Sequence, residues 1–562
     1  MHESFDHRRY LIPFRSLLLP QVFTDTLVIG SGVAGLRAAI EAAAHGDVIV
    51  LAKDTYDVGS TAWAQGGIAA VLAEDDSADS HVHDTLNAGA GLCDDEAVRL
   101  LVDDGPERVR ELINWGMRLD RAADGSLSLG REGGHQYHRI VHSDGDATGL
   151  ALMQCLAARV SAMENIRLFE NCFALDLLTT GEDSHEFASG PAGEARVLGA
   201  ITHHPRYGLQ IIWANATILA SGGAGQVYRE TTNPRVVTGD GLAMAYRAGA
   251  MLADMAFIQF HPTTLYVAGS SRSLISEAVR GEGAHLVDRD GRRFMADYHE
   301  MAELAPRDVV SQAISRELAR TQAQCVYLDV RHLGHAFVDR FPGIARQLRS
   351  FDIDPIHSLI PVHPSAHYTI GGVRTDLGGR TILAGLFACV EVACTGIHAA
   401  TRLASTSLLE GIVFGRRCGE AAAAAPHRVN GRSIQIISDI RPSERGELDL
   451  IDVRSSLRSA MWRNVGIERT HHKPADALDT VKFWGRYVMD KIFDDPHGWE
   501  TQNLLTVGAL IARAALWREE TRGVHLRLDH QQAKDSFAVH EGWMRGRDEP
   551  IIGPLRAGAT TR

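Results

Sequence analysis

The chain has 562 residues, 45% hydrophobic and 23% charged, a balance for which disorder is not the default and which leaves room for roughly two to four domains, each with its own core. A formal net charge of −13 argues against nucleic acid or an anionic membrane surface as partner, so a cationic binding site has to be local. The seven cysteines are widely spaced with no C-x-x-C pair, which predicts reduced thiols in a cytoplasmic protein.

The apolar run Leu11 to Leu19 is broken and is followed by no small-residue cleavage pattern. No stretch reaches about 18 uninterrupted apolar residues, so no transmembrane helix is expected. From Asp25 the sequence Thr-Leu-Val-Ile-Gly30-Ser31-Gly32-Val33-Ala34-Gly35 reads as a buried strand, a glycine turn and a helix start. That order brings backbone N–H groups to a dinucleotide pyrophosphate. Helix formers run from Leu36 to His45 and predict a left-handed stop at Gly46, after which Asp47 to Ala52 forms a second buried strand of a βαβ unit. This strand ends at Lys53 with Asp54 the only nearby acid, so binding of a plain nicotinamide dinucleotide loses weight. Ala216 to Ala220, followed by Ser221-Gly222-Gly223-Ala224-Gly225, repeats the strand-then-glycine pattern.

Between roughly 255 and 370 short proline-punctuated motifs predict an inserted substrate-covering domain. The strand pattern returns at Gly385 to Glu391, and Ser405-Thr-Ser-Leu-Leu predicts a helix with a serine-rich cap. The expected architecture is therefore an α/β Rossmann-like dinucleotide domain, discontinuous over 20–254 and 370–438, with an inserted α+β capping domain over 255–369. A C-terminal helical bundle is expected over 439–540, with helices at 451–462, 476–492 and 503–520, and a mobile tail over 541–562.

His261, Arg280, Arg307, His367 and Arg402 each sit in a short motif rich in glycine, proline or serine. Cations gathered around a pocket imply an anion, and three arginines are enough to grip a small dicarboxylate at both ends. The histidine pairs His81/His83, His203/His204 and His471/His472 lack a third ligand, so no metal is assigned. Cys389 and Cys394 are read as packing residues.

Several motifs then converge: Gly59-Ser-Thr-Ala-Trp-Ala-Gln-Gly-Gly67, Arg131-Glu-Gly-Gly-His135, Thr238-Gly-Asp-Gly241, Gln259-Phe-His-Pro-Thr263, Glu277-Ala-Val-Arg280, Leu304-Ala-Pro-Arg307-Asp308, Ala366-His-Tyr368 and Arg402-Leu-Ala-Ser-Thr-Ser-Leu408. In these, from about residue 24 to about 530, the chain resembles the flavoprotein family of succinate dehydrogenase, fumarate reductase and L-aspartate oxidase. The resemblance implies FAD. Ser60 stands where respiratory members carry the histidine that bonds the flavin, so the FAD is expected to be non-covalent. By the same resemblance Gly30, Ser31, Gly32, Ala34, Gly35, Lys53, Ser60, Thr61, Gln65, Gly66, Gly67, Gly222, Asp240, Glu391, Ser405, Ser407 and Leu408 contact the cofactor.

The resemblance also implies that His261, His367 and Arg402 hold the substrate carboxylates, with Glu132 and Thr263 on the substrate too, and that Arg307 transfers the proton with Arg280 and Glu277 as its relay; the alternative is that Arg307 only polarises the substrate electrostatically. Glu132 sorts the family, because a carboxylate suits an amino group that succinate lacks. The implied reaction is FAD-dependent oxidation of L-aspartate to iminoaspartate with oxygen or fumarate as acceptor, feeding a quinolinate-forming enzyme and NAD synthesis. The alternatives are a fumarate reductase or succinate oxidase, and a silent dicarboxylate-binding flavoprotein. Three positions depart from the aspartate oxidase pattern: Val390 where glycine is usual, Ala399-Ala400-Thr401 where Gly-Ala-Asn is usual, and Thr406 where asparagine is common.

Overall fold

The computed structural model describes residues 3–180, 184–186, 195–268, 272–426, 434–446 and 448–556. The strand Gln21–Ile29, the helix Val33–Ala42 and the strand Val48–Leu51 form the expected βαβ unit, with the two strands parallel. Leu27, Val28 and Ile29 are buried, as residues of a sheet covered on both faces must be. The sheet runs Ile166–Phe169, Val48–Leu51, Gln21–Ile29, Gly208–Leu219, Val197–His204, Phe173–Thr179, and Leu386–Ala388 adds to the strand Gly208–Leu219. Its first four strands are mutually parallel, so the glycine turns at Gly30 and Ser221 leave the same end of the sheet. Open α/β sheets bind their ligands at that end.

The helix does not stop at Gly46 in a left-handed turn. It ends at Ala42 with Ala43 right-handed, and Gly46 is needed because a Cβ there would fall 2.5 Å from Asp25 Oδ2. The helix Thr406–Ala423 lies on Val33–Ala42 through Gly411, Gly415 and Gly419, spaced four apart on one face. A Cβ at Gly419 would meet Ala38 O at 2.4 Å, so the seam closes only with glycine.

Four antiparallel strands in the order Ile258–Leu265, Ile360–Thr369, Val326–Asp329, His285–Val287 form a second sheet. It has its own apolar core, including Ile314, Phe337 and Leu348, and the helix Arg307–Thr321 packs on it. The helices Leu450–Asn464, His472–Val488 and Pro496–Trp517 pack on one another, and the last also lies against Asp240–Arg247. Among the described residues no helix is long and apolar enough to cross a membrane.

The segment expected to be a mobile tail is ordered over much of its length. His540–Trp543 and Ile551–Gly553 are strands of a five-stranded sheet with Leu252–Ala253, Gly372–Arg374 and Ala393–Cys394; residues 557–562 lie outside the described residues. His540 pins this segment, with Nδ1 2.5 Å from Asp254 Oδ2 and Nε2 3.2 Å from Asp94 Oδ1. Burial would lower the His540 pKa, but the two carboxylates outweigh it and raise it to about 9. Cys394 is more than packing, since its thiol donates to the same Asp254 oxygen at 3.3 Å.

Candidate active site

A cleft of about 150 Å³ runs from the first glycine turn to the strand end at Glu391, lined by Gly30, Ser31, Gly32 and Ala34, then Lys53 and Asp240, then Ser60, Thr61, Gly222 and Glu391. It shares the walls Ser60–Thr61 and Val390–Glu391 with a chamber of about 830 Å³ whose lining includes Gln65, His367, Ser407 and Leu408. The cleft fits the phosphate and ribityl parts of a dinucleotide. Gly30, at φ +120°, lets the turn pass so close to the second glycine strand that a Cβ would sit 2.1 Å from Ala220 O. Gly222 is likewise left-handed at φ +74°, and the buried hydroxyls of Ser60 and Ser221 have no hydrogen-bond partner. Orphan hydroxyls in a buried cleft require a polar ligand or water.

Four of the expected cofactor residues stand one layer behind the wall. Gly35 packs on the turn, where a Cβ would meet Gly30 O at 1.8 Å. Gly66 and Gly67 face a small separate cavity beside Glu132. Ser405 is no helix cap: it is left-handed at φ +56°, makes no capping bond, and its Oγ donates to Glu132 Oε2 at 2.6 Å. Lys53 pairs with Asp240 Oδ2 at 2.7 Å and Glu500 Oε1 at 2.6 Å. Glu391 is buried and accepts from Thr369 N at 3.1 Å; burial pushes its carboxyl up to about 7.

Behind the chamber the cationic residues come together. The helix Glu277–Gly281 is capped by Ser276, whose Oγ accepts from Ala278 N, and it carries Glu277 and Arg280 one turn apart. Glu277 lies between two guanidinium groups: Oε2 pairs with Arg307 Nε and Oε1 lies 3.1 Å from Arg280 Nη2. Burial works to raise the Glu277 pKa, but Arg307 and Arg280 outweigh it and hold it below the ordinary value. Arg307 is the first residue of its helix after Pro306 and also donates from Nη1 to Gln259 Oε1 at 3.1 Å. Arg402 stacks over the Tyr368 ring at 4.5 Å and its buried Nε has no partner; burial and Arg307 bring its pKa down to about 10.

His261 and His367 pack ring to ring at 5.1 Å. Burial first, then Arg307 and the other cations, push both well below the ordinary histidine value, so both are neutral. Thr263 N donates to His261 Nδ1 at 3.2 Å, which leaves the proton on Nε2, a buried donor with no partner. Thr263 Oγ1 is already given to Ile275 O at 2.9 Å, so Thr263 orients the imidazole. Glu132 Oε1 is buried with no partner, and burial together with Glu277 raises the Glu132 pKa. Three guanidinium groups, an imidazole N–H and one carboxylate of raised pKa thus meet in a buried site, an arrangement able to hold a small anion carrying a basic group.

Residues 25–408 match the family model described as an FAD binding domain, and 454–552 match the fumarate reductase flavoprotein C-terminal model. L-aspartate oxidase of Streptomyces coelicolor is 45% identical over 92% of this chain and 90% of its own length. L-aspartate oxidase 1 of Ralstonia nicotianae is 44% identical over 90% of this chain and 96% of its own. The chain belongs to the L-aspartate oxidase family. An E. coli quinol fumarate reductase structure superposes with a TM-score of 0.86 at 31% identity, covering 96% of this chain and 98% of that one. Membership of this flavoprotein family brings FAD as the cofactor. An adenylylsulfate reductase from Archaeoglobus fulgidus, at 17% identity and a TM-score of 0.74, shares the fold alone.

Two further residues belong to the candidate site: Gln259, to which the sequence gives a motif but no role, and Glu410. Gln259 ties the cluster together, accepting from Arg307 and donating from Nε2 to Arg402 O at 2.8 Å. Glu410 accepts from Tyr368 Oη at 3.2 Å, His398 Nε2 at 2.8 Å and Thr395 Oγ1 at 2.8 Å, and so steadies the ring under Arg402. Glu410 carries a signal of its own, a carboxylate within the run Leu-Leu-Glu-Gly-Ile-Val-Phe, whereas Gln259 lies in a strand of mixed polarity. The departures from the aspartate oxidase pattern have visible structural settings. Val390 is left-handed at φ +63° on the cleft wall, a conformation glycine adopts freely and a β-branched residue rarely does. Ala399, at φ +48°, is likewise left-handed, and Thr406 Oγ1 is turned to Leu403 O at 2.7 Å, away from the cleft.

Proposed function

We propose that this chain oxidises L-aspartate to iminoaspartate with non-covalent FAD, as the first step of quinolinate and NAD formation, and that oxygen or fumarate is the acceptor. The single observation that carries the substrate assignment is Glu132: a buried carboxylate with a free oxygen, its pKa raised, inside a cluster otherwise built for carboxylates. In this reading residues 20–254 and 370–438 hold FAD through Gly30, Ser31, Gly32, Ala34, Ser60, Thr61, Gly222 and Glu391, with Gln65, Ser407 and Leu408 on the chamber side. Residues 255–369 form the cap. Ser60 offers no imidazole for a covalent flavin bond. FAD, when bound, supplies the two-electron acceptor.

The chain's own groups do the rest. Arg402 and the His261 Nε2–H hold the substrate carboxylates, with His367 beside them. Glu132, made a better base by burial, takes a proton from the substrate ammonium. The neutral amine then has a lone pair that can form the C=N bond as hydride leaves C2. Burial from solvent strengthens every one of these contacts. In the reverse sense fumarate needs one proton to become succinate, and the chain Arg280–Glu277–Arg307 leads toward the site to deliver it, with Arg307 the final donor.

The test is anaerobic mixing of the FAD-loaded protein with L-aspartate and, separately, succinate. Bleaching of the flavin absorbance by aspartate, faster than by succinate, is expected. Faster bleaching by succinate would favour a succinate oxidase, and none by either a silent binding protein. Peroxide formation and succinate formation from fumarate then identify the acceptor.

A further inference from the structure

Alongside the chamber runs a groove of about 710 Å³ between the end of the sheet near Lys53 and the helices Leu450–Asn464 and Pro496–Trp517. Its charged lining is five basic side chains, Lys53, Arg229, Arg235, Arg454 and Arg458, against two carboxylates, Asp54 and Glu500. Such an excess is unexpected on a protein of net charge −13. The groove is continuous with the chamber, because Gln226, Arg229, Arg235 and Arg458 line both.

Three of the cations are neutralised locally. Lys53 is held by Asp240 and Glu500, Arg454 Nη2 lies 3.1 Å from Glu500 Oε2, and Arg229 Nε lies 2.8 Å from Glu230 Oε1. The other two are not. Arg458 is half-buried and donates only to carbonyls, Tyr228 O at 3.2 Å and Arg229 O at 3.4 Å. Arg235 is exposed and has no hydrogen bond or ion pair among the described residues. Burial first and then Arg454 lower the Arg458 pKa, with Arg235 adding to the effect, and the attraction of Glu230 only partly offsets them; among the described residues no carboxylate is in ion-pair contact with Arg458.

We infer that this groove is a capture site for dicarboxylates, in which Arg235 and Arg458 take hold of the substrate before it passes into the chamber at His367. The inference rests on the functional reading above for the identity of the substrate. Two unpaired guanidinium groups suit a small diacid with a carboxylate at each end. A groove with an excess of one sign of charge raises the local concentration of the opposite ion; clefts lined by one sign alone speed encounter by about 10- to 1,000-fold, and this groove, with two unneutralised cations, falls toward the lower end. The Debye length shrinks from about 30 Å at 0.01 M to about 3 Å at 1 M salt, so capture through such a groove weakens steeply with ionic strength.

Anaerobic stopped-flow flavin reduction by L-aspartate, at ionic strengths of roughly 20 and 500 mM, tests the idea on the holoprotein. In Arg235→Gln and in the Arg235→Gln/Arg458→Gln pair, the apparent second-order rate should fall about 5- to 10-fold at low salt. Its salt dependence should flatten, while kcat and flavin absorbance stay at the parent values. Arg235→Gln removes no bond, so a loss there reports charge and not folding. An unchanged rate and salt dependence in both variants, with the parent reduced by aspartate, would overturn the capture site alone. A parent protein that aspartate does not reduce would overturn the functional reading, and this inference with it.

Discussion

Glu132→Gln is the most discriminating single change. The parent carboxylate is 2% exposed, accepts from Ser405 Oγ at 2.6 Å through Oε2, and has nothing bonded to Oε1. Glutamine keeps the shape and can keep the Ser405 bond through its carbonyl, but it turns an N–H toward the place where a substrate ammonium also presents N–H. A hydrogen bond to a charged group contributes about 1.5–3 kcal/mol, and each 1.4 kcal/mol is about tenfold, so kcat/KM for L-aspartate should fall about 10- to 150-fold. Fumarate and succinate carry no ammonium, and their turnover should change by less than about threefold, since removing a nearby carboxylate relieves repulsion. A raised carboxyl pKa means the folded state binds the proton more tightly than the unfolded one, so Glu132 costs stability as pH rises above the ordinary carboxylate range. The variant should therefore gain stability over the parent between acid and neutral pH. Initial rates of flavin reduction by aspartate and of flavin reoxidation by fumarate, with melting curves at pH 5 and 7.5, read all three effects. Equal loss toward aspartate and fumarate would refute the assignment of Glu132 to the amine.

Arg307→Leu should lower fumarate reduction at least about 100-fold with flavin absorbance retained, because it removes the proposed proton donor; retained turnover measured by succinate formation would exclude that role. His540, raised to about 9, contributes stability that is fully present below pH 6.5 and is lost as pH rises through 9. The shift corresponds to about 3 kcal/mol, so His540→Gln should melt well below the parent at pH 6.5 and near it at pH 10, and a gap independent of pH would count against the Asp254–His540–Asp94 link. Gly30→Ala would put a Cβ 2.1 Å from Ala220 O, and the purified protein should carry no flavin; a yellow Gly30→Ala protein would show that the turn can open. Malonate at about 100 times its dissociation constant should stabilise the holoprotein by about 2.7 kcal/mol, and an unmoved melting temperature would speak against the cationic pocket.

Local signals made much of this protein legible. The βαβ unit could be read because an apolar run, a glycine turn and a helix each announce themselves within a few residues, and backbone geometry then allows one outcome. The helices after residue 439 followed from periodicity in the same way. The misreadings were all long-range. Gly46 looked like a helix stop but serves Asp25; Ser405 looked like a helix cap but serves Glu132 from the far side of the chain; the segment after 540 looked loose but completes a sheet with Leu252–Ala253 and Gly372–Arg374.

The amino-acid order alone carries the dinucleotide turn, a serine at position 60 where the family resemblance places a flavin-bonding histidine, and arginines and histidines set in short motifs. Only the tertiary structure decided which of those groups are spent on each other and which are left open. Arg307 and Arg280 share Glu277, while His261 Nε2 and Glu132 Oε1 have no protein partner. The reason is physical: charge and hydrogen-bonding capacity belong to a residue, but whether they are satisfied depends on neighbours brought near by folding, and a ligand is recognised by what folding leaves unsatisfied.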